Sequence, residues 1–164
     1  MHKKFLLMTL LATLAVVSPR AEAKELQGRL GLGYNGQFSN STATNGVPAI
    51  SLKYGLTRDL HSAFVFGTNT SAPTNTVAAL KFFKNIFYET NLNFYFLVAA
   101  GYVSAASNSG VEFLSGFGAE FFIPGLESLG FSTETGVAFG SATGSFALRS
   151  MGVSFLQAGI HFYF

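Results

Sequence analysis

Asn91 to Val103 reads NLNFYFLVAAGYV, and its alternation decides the fold. Phe94, Phe96, Val98 and Tyr102 share one parity, while Asn93, Tyr95 and Gly101 share the other. Successive side chains of a strand point to opposite faces, so this segment is a strand with one greasy side. It is not a membrane helix: a spanning helix needs about 20 apolar residues, and Phe94 to Val103 is the longest apolar run past residue 23.

The same rhythm recurs on both sides of it. Strands are expected at about 26–38, 48–57, 60–68, 76–84, 92–103, 111–122, 129–139 and 151–164. Their greasy faces are Leu26, Leu30, Leu32, Tyr34 and Phe38; Ile50, Leu52, Tyr54 and Leu56; Leu60, Phe64 and Phe66; Leu80 and Phe82; Phe113, Phe117 and Phe121; Leu129, Phe131, Val137 and Phe139; and Leu156, Ala158, Ile160, Phe162 and Phe164. The connectors alternate in character. Arg58-Asp59, 84–91 and 124–128 carry charges or a Pro-Gly turn, whereas 39–47, 68–75, 104–110 and 140–149 are polar with Arg149 as the lone charge. Two connector classes on alternate sides fit an up-and-down meander.

The beginning of the chain has a different grammar. Met1 to Lys4 is basic, Phe5 to Val17 is apolar apart from threonine, and Ala21-Glu22-Ala23 has the small-x-small form of a signal-peptidase site. Residues 1–23 therefore read as a cleaved signal peptide and 24–164 as one domain. Cleavage removes three cations and one anion. The mature chain then balances seven Lys and Arg against seven Asp and Glu, so the formal +2 of the full sequence implies no nucleic-acid partner. With no cysteine, disulfides and thiol catalysis are excluded.

Six of the mature charges lie within strands: Arg29, Lys53, Lys81, Glu112, Glu120 and Glu134. Each has the parity opposite to the Phe and Leu face. A Lys or Arg facing lipid at mid-bilayer costs about 2–4 kcal/mol, a physical reason for that segregation. A small barrel has little internal room, so the bulky face must be the outer one. Bilayer-spanning strands must also close on themselves, because an open edge leaves backbone groups unpaired. The expected fold is an all-β, eight-stranded antiparallel up-and-down transmembrane barrel, its lumen filled by glycines, small polar residues and ion pairs. Those pairs are expected across the lumen, from Arg29, Lys53 and Lys81 to Glu120 and Glu134. They serve either to satisfy buried charge or to gate a small-ion pore. His61 and His161 fall inward near the end that holds the termini, without carboxylates spaced for a metal site.

The phrases GLGYNGQF (31–38), NLNFYFLVAAGYV (91–103) and PGLESLGFSTETGVAF (124–139), together with the terminal HFYF (161–164), resemble the small eight-stranded outer-membrane barrels of the OmpA and OmpX type. The resemblance covers residues 24 to 164 and does not bring the cell-wall-binding domain of OmpA with it. It implies a Gram-negative outer-membrane location and contact with outer-membrane lipids and lipopolysaccharide. It also implies a C-terminal signal, Ile160, Phe162 and Phe164, for the barrel assembly machinery. No cofactor is expected. A non-catalytic structural role leads, because the outer connectors lack the His, Asp and Glu that a lipid-modifying barrel needs. Small residues on the greasy face (Ser62, Ala78, Ala100, Ser115, Ala119, Ser154 and Ala158) admit a homo-oligomer.

The processing site is directly testable. The intact mass of the protein extracted from membranes is expected to start at Lys24; a mass that retains Phe5 to Val17 would mean an anchored chain.

Overall fold

A computed structural model describes residues 25–35, 49–70, 74–105, 108–141, 145–151 and 157–164. The expected signal peptide lies outside them, as do Phe38, Ser154 and Leu156. The described elements are all strands: β1 (Leu30–Asn35), β2 (Ala49–Gly55), β3 (Leu60–Asn69), β4 (Asn75–Glu89), β5 (Leu92–Ala105), β6 (Asn108–Ile123), β7 (Leu126–Gly140), β8 (Ala147–Ser150) and β9 (Gln157–Tyr163). Each pairs antiparallel with its neighbour. β9 pairs with both β7 and β1, which closes the sheet into a barrel.

The eighth stave is made of two pieces. β8 pairs with the upper part of β7 and β9 with its lower part. The last ladder pair above is Val137 with Ser150 and the first below is Glu134 with Gln157, so the eighth stave carries four more residues than its partner there. Ala147, Leu148 and Arg149, expected as connector, are therefore strand, together with Ser150. Their polar sequence concealed a stretch whose inward positions include Arg149.

Stagger is read from the ladders. From Leu129 the partners run through Phe162, Leu32, Leu52, Phe64, Leu80, Ala100 and Phe113, and return to β7 at Phe139, ten residues along. Such a stagger tilts the staves by roughly 35–45° and sets a bore that side chains can just fill.

Local chemistry makes the turns at the end that holds both termini. Pro124-Gly125 links β6 to β7, with proline fixing φ and Gly125 at φ 83°. Between β2 and β3, Thr57 Oγ1 accepts hydrogen bonds from the backbone N–H of Asp59 (3.3 Å) and Leu60 (3.0 Å). Beside it, Lys84 Nζ lies 3.0 Å from Asp59 Oδ2. The Tyr88 hydroxyl, and then the Lys84 ammonium, hold the Asp59 carboxyl below the usual carboxylate range.

Leu26 departs from expectation. Extension of the β1 alternation predicts an outer-face side chain, yet Leu26 is buried against Phe122 and Tyr163. The extension fails because the chain turns before β1. Arg29 N–H donates to Leu26 O at 3.0 Å, and Gly28 takes φ 74°. The turn tucks Leu26 under the barrel as an apolar cap.

At the seam Gly33 is required by space. A β-carbon there would lie 1.9 Å from Ile160 O, backbone that belongs to the closing strand. Gly33→Val is expected to prevent closure, seen as loss of the heat-modifiable fast band in SDS electrophoresis. Gly28→Ala, where a β-carbon meets open space, is expected to fold with a loss of about 1–2 kcal/mol from its left-handed backbone.

Candidate functional site in the lumen

Alternation delivers the charged residues to the bore. Lys53 on β2, Lys81 on β4, Glu120 on β6 and Glu134 on β7 are each 2% exposed or less. β2 and β6 stand four staves apart, so the Lys53–Glu120 pair crosses the full width of the barrel, with Nζ 2.7 Å from Oε2. Only two long side chains meeting head to head can do this. Lys81 pairs with Glu134.

Each carboxylate also takes a tyrosine. Tyr163 donates to Glu120 Oε1 at 2.6 Å, and Tyr95 donates to Glu134 Oε1 at 3.2 Å. The lumen thus holds two Lys–Glu–Tyr sets. Phe83 lies between the cations, its ring centroid 4.7 Å from Lys53 Nζ and 5.5 Å from Lys81 Nζ. The negative face of an aromatic ring supports a cation removed from water. Lys81 further donates to Asn35 Oδ1 at 3.3 Å, and Asn35 Oδ1 also accepts from Gln157.

Arg29 is a correction to the expected cluster: it bonds neither Glu120 nor Glu134. It lies in the turn before β1, at the end of the barrel, and there donates to Tyr163 O at 3.1 Å with its guanidinium 5.7 Å from the centre of that ring. A third pair, Glu112 with Arg149, stands toward the opposite end. Sequence reading put Glu112 inward but missed its partner by assigning Arg149 to a loop. Leu148-Arg149-Ser150-Met151 does not alternate in polarity, so no local signal marked Arg149 as inward; its pairing with β7 places it there.

Between the Lys81–Glu134 pair and the Glu112–Arg149 pair the bore is apolar, where small polar residues and ion pairs are expected from the sequence. Its inward positions include Val65, Val77, Ala79, Ala99, Val103, Leu114 and Ala138, joined in one buried cluster with Met151. These side chains are buried and packed against one another.

His161 Nε2 is hydrogen-bonded to Ser51 Oγ at 2.9 Å, and its Nδ1 lies 3.8 Å from Glu120 Oε1. Hydroxyl, imidazole and carboxylate stand in the order of a hydrolytic triad. Ser51 is only 1% exposed, however, so an external ester has no route to Oγ. His61 is turned to the lower rim, where its Nε2 lies 3.3 Å from Arg58 O. Among the described residues no group of three or more His, Cys, Asp or Glu could hold a metal ion.

Phe162 and Phe164 are on the outer face, and Phe164 N–H donates to Leu30 O at 2.9 Å across the seam. Ile160 is half-buried on the same side.

Removing one partner of a buried pair strands the other charge, at a cost of about 3–5 kcal/mol. Glu120→Ala is expected to lower stability to urea by that amount, and Glu120→Asp, one methylene short of Lys53, by a smaller one. Lys53→Met in the Glu120→Gln background is expected to restore most of the loss.

Comparison with protein-family models, with curated proteins and with solved structures finds no match for this chain.

Proposed function

We propose that the chain is a non-catalytic structural barrel of the Gram-negative outer membrane, crossing it eight times and supporting envelope integrity with a closed lumen. One observation carries the reading, the inversion of its sides. Leu80, Tyr102 and Phe117 are about half exposed, whereas the Lys and Glu of the lumen are nearly inaccessible. The outer wall is apolar over β1 to β7 and β9. A soluble monomer rarely shows apolar patches beyond a few hundred Å². In lipid the same surface is satisfied.

Dimensions agree. β4 to β7 run 14 to 16 residues, more than the roughly 9–11 that a tilted strand needs to cross hydrocarbon. The turn residues Arg58 and Asp59 stand at the lower end, and Lys84, outward on β4, is paired with Asp59 there. Two ion-pair sets, the packed apolar level and the Leu26 cap support a lumen closed to ions. Lipopolysaccharide and phospholipid chains are the partners of the outer wall. Ile160, Phe162 and Phe164 present an alternating outward edge to the barrel assembly machinery.

Expressed with its leader in a Gram-negative host, the protein is expected in the outer-membrane fraction. In planar bilayers it is expected to give no discrete conductance steps. Recovery as a soluble protein would overturn the membrane assignment, and resolved channel openings would overturn the closed lumen.

A further inference from the structure

Lys84 puts a charge on the greasy parity of β4. The outward positions of that strand descend through Leu80, Phe82 and Lys84 toward the end that holds the termini. Lys84 is more than half exposed and reaches Asp59 in the turn between β2 and β3, with Nζ 3.0 Å from Oδ2. Tyr88 donates to the other carboxylate oxygen of Asp59. Arg58, the neighbour of Asp59 in that turn, is exposed, with its guanidinium 5.5 Å from the centre of the Tyr88 ring. The cluster presents two cations and one carboxylate at the lower rim of the wall.

Above Lys84 the wall is grooved. Leu80, Ala100 and Phe113 are ladder partners in one row across β4, β5 and β6, and Phe82 with Val98 begins the row beneath. The short side chain of Ala100 between larger neighbours leaves a groove of about 320 Å³, lined by Leu80, Phe82, Val98, Ala99, Ala100 and Phe113. Lys84 follows Phe82 by one pleat, roughly 7 Å along the stave. The stagger makes each ladder row climb from β4 to β6, so the groove leads upward from the charged cluster.

We propose that this strip of the outer wall holds one zwitterionic phospholipid whose headgroup carries a phosphate and a primary ammonium. The phosphate accepts from Lys84 and Arg58, as charge-assisted bonds favour. The ammonium donates to Asp59. One acyl chain rises into the groove over Ala100, between Leu80 and Phe113. Charge complementarity decides the occupant. A bare hydrocarbon chain would fill the groove and leave the two cations and the carboxylate unanswered. A second barrel facing this wall about a two-fold axis along the membrane normal would bring the same surplus of positive charge to the same height. A phospholipid of the leaflet at the terminal end answers both parts in the right order, head at the rim and tail toward the midplane. The inference rests on the proposed membrane placement and adds to it a particular lipid and the residues that select it.

The test uses the full barrel in detergent micelles, given one lipid at a time with identical acyl chains, and native mass spectrometry counts the lipid retained. Phosphatidylethanolamine is expected to be kept as a single copy. Its retention is expected to exceed several-fold that of phosphatidylcholine, whose quaternary ammonium has no N–H for Asp59, and that of phosphatidylglycerol, which has no cation. Ala100→Phe fills the groove and is expected to weaken retention several-fold, whereas Leu32→Phe, four staves away on the opposite wall, leaves it unchanged. The double variant Lys84→Met/Asp59→Asn removes both charges of the pair together and is expected to abolish the discrimination among the three headgroups. Only variants that keep the heat-modifiable fast band are compared. Equal retention of the three lipids by the unaltered barrel overturns the proposal, and so does a loss in Leu32→Phe as large as that in Ala100→Phe. A barrel recovered in the outer-membrane fraction without these preferences overturns this site and leaves the membrane placement standing, whereas a soluble barrel overturns both.

Discussion

Closure of β1 against β9 is the constraint on which the rest of the molecule depends. Once eight staves are joined with a ten-residue stagger, the bore has a fixed width and every inward position must contribute to filling it. Interiors tolerate few voids. The lower lumen meets the demand with long polar side chains that span the width, Lys53 to Glu120, with Tyr95, Phe83 and Tyr163 packed between them. The upper lumen meets it with small apolar walls and a methionine drawn in from the interrupted stave. One geometric requirement thus yields two chemically different halves. The glycines follow from the same crowding: at Gly118 a β-carbon would come within 2.8 Å of the Tyr95 ring and hydroxyl.

Two-sided chemistry was legible in the sequence because strand periodicity is local. Each of Lys53, Lys81, Glu120 and Glu134 could be assigned to the bore by counting in twos from a neighbouring phenylalanine or leucine. The same counting placed Tyr95, His161 and Tyr163 inward. Parity gives the side of the sheet but not the height of a residue in the barrel, since height depends on stagger, a property of all eight ladders together. That is why the partners of individual lysines were open and why Arg29 was drawn into a cluster that it stands below.

The misread segments have a common cause. Leu26 matches the alternation of β1, but Gly28 at a left-handed φ reverses the chain before the ladder begins. The sequence LQGR carries that turn as a single glycine, too weak a sign against a continuous apolar pattern. At the other end ALRS follows a glycine- and serine-rich stretch and has little strand propensity of its own; it is held in the sheet by β7. Tertiary pairing overrides local preference there. The apolar upper bore was missed because alanine and valine on the inner parity look unremarkable one strand at a time. Their meaning emerges only when the staves bring them to one level.

Buried ion pairs are poor sources of stability, since the cost of desolvation can exceed the Coulombic gain. Their value in this barrel is specificity of register. A slip of one residue at any ladder turns an entire strand inside out. For β4 it would move Lys81 to the outer wall and Phe82 into the bore; for β6 it would exchange Glu120 with Phe121. In lipid each misplaced lysine costs about 2–4 kcal/mol at mid-depth, and its abandoned glutamate adds the cost of an unpaired charge inside. The penalties fall on both partners at once, and Lys53–Glu120 joins strands four staves apart. A pair of that reach couples the registers of β2 and β6 without any backbone contact between them. The Lys–Glu–Tyr sets therefore serve to select one barrel from the family of slipped alternatives that a period-two sequence would otherwise permit.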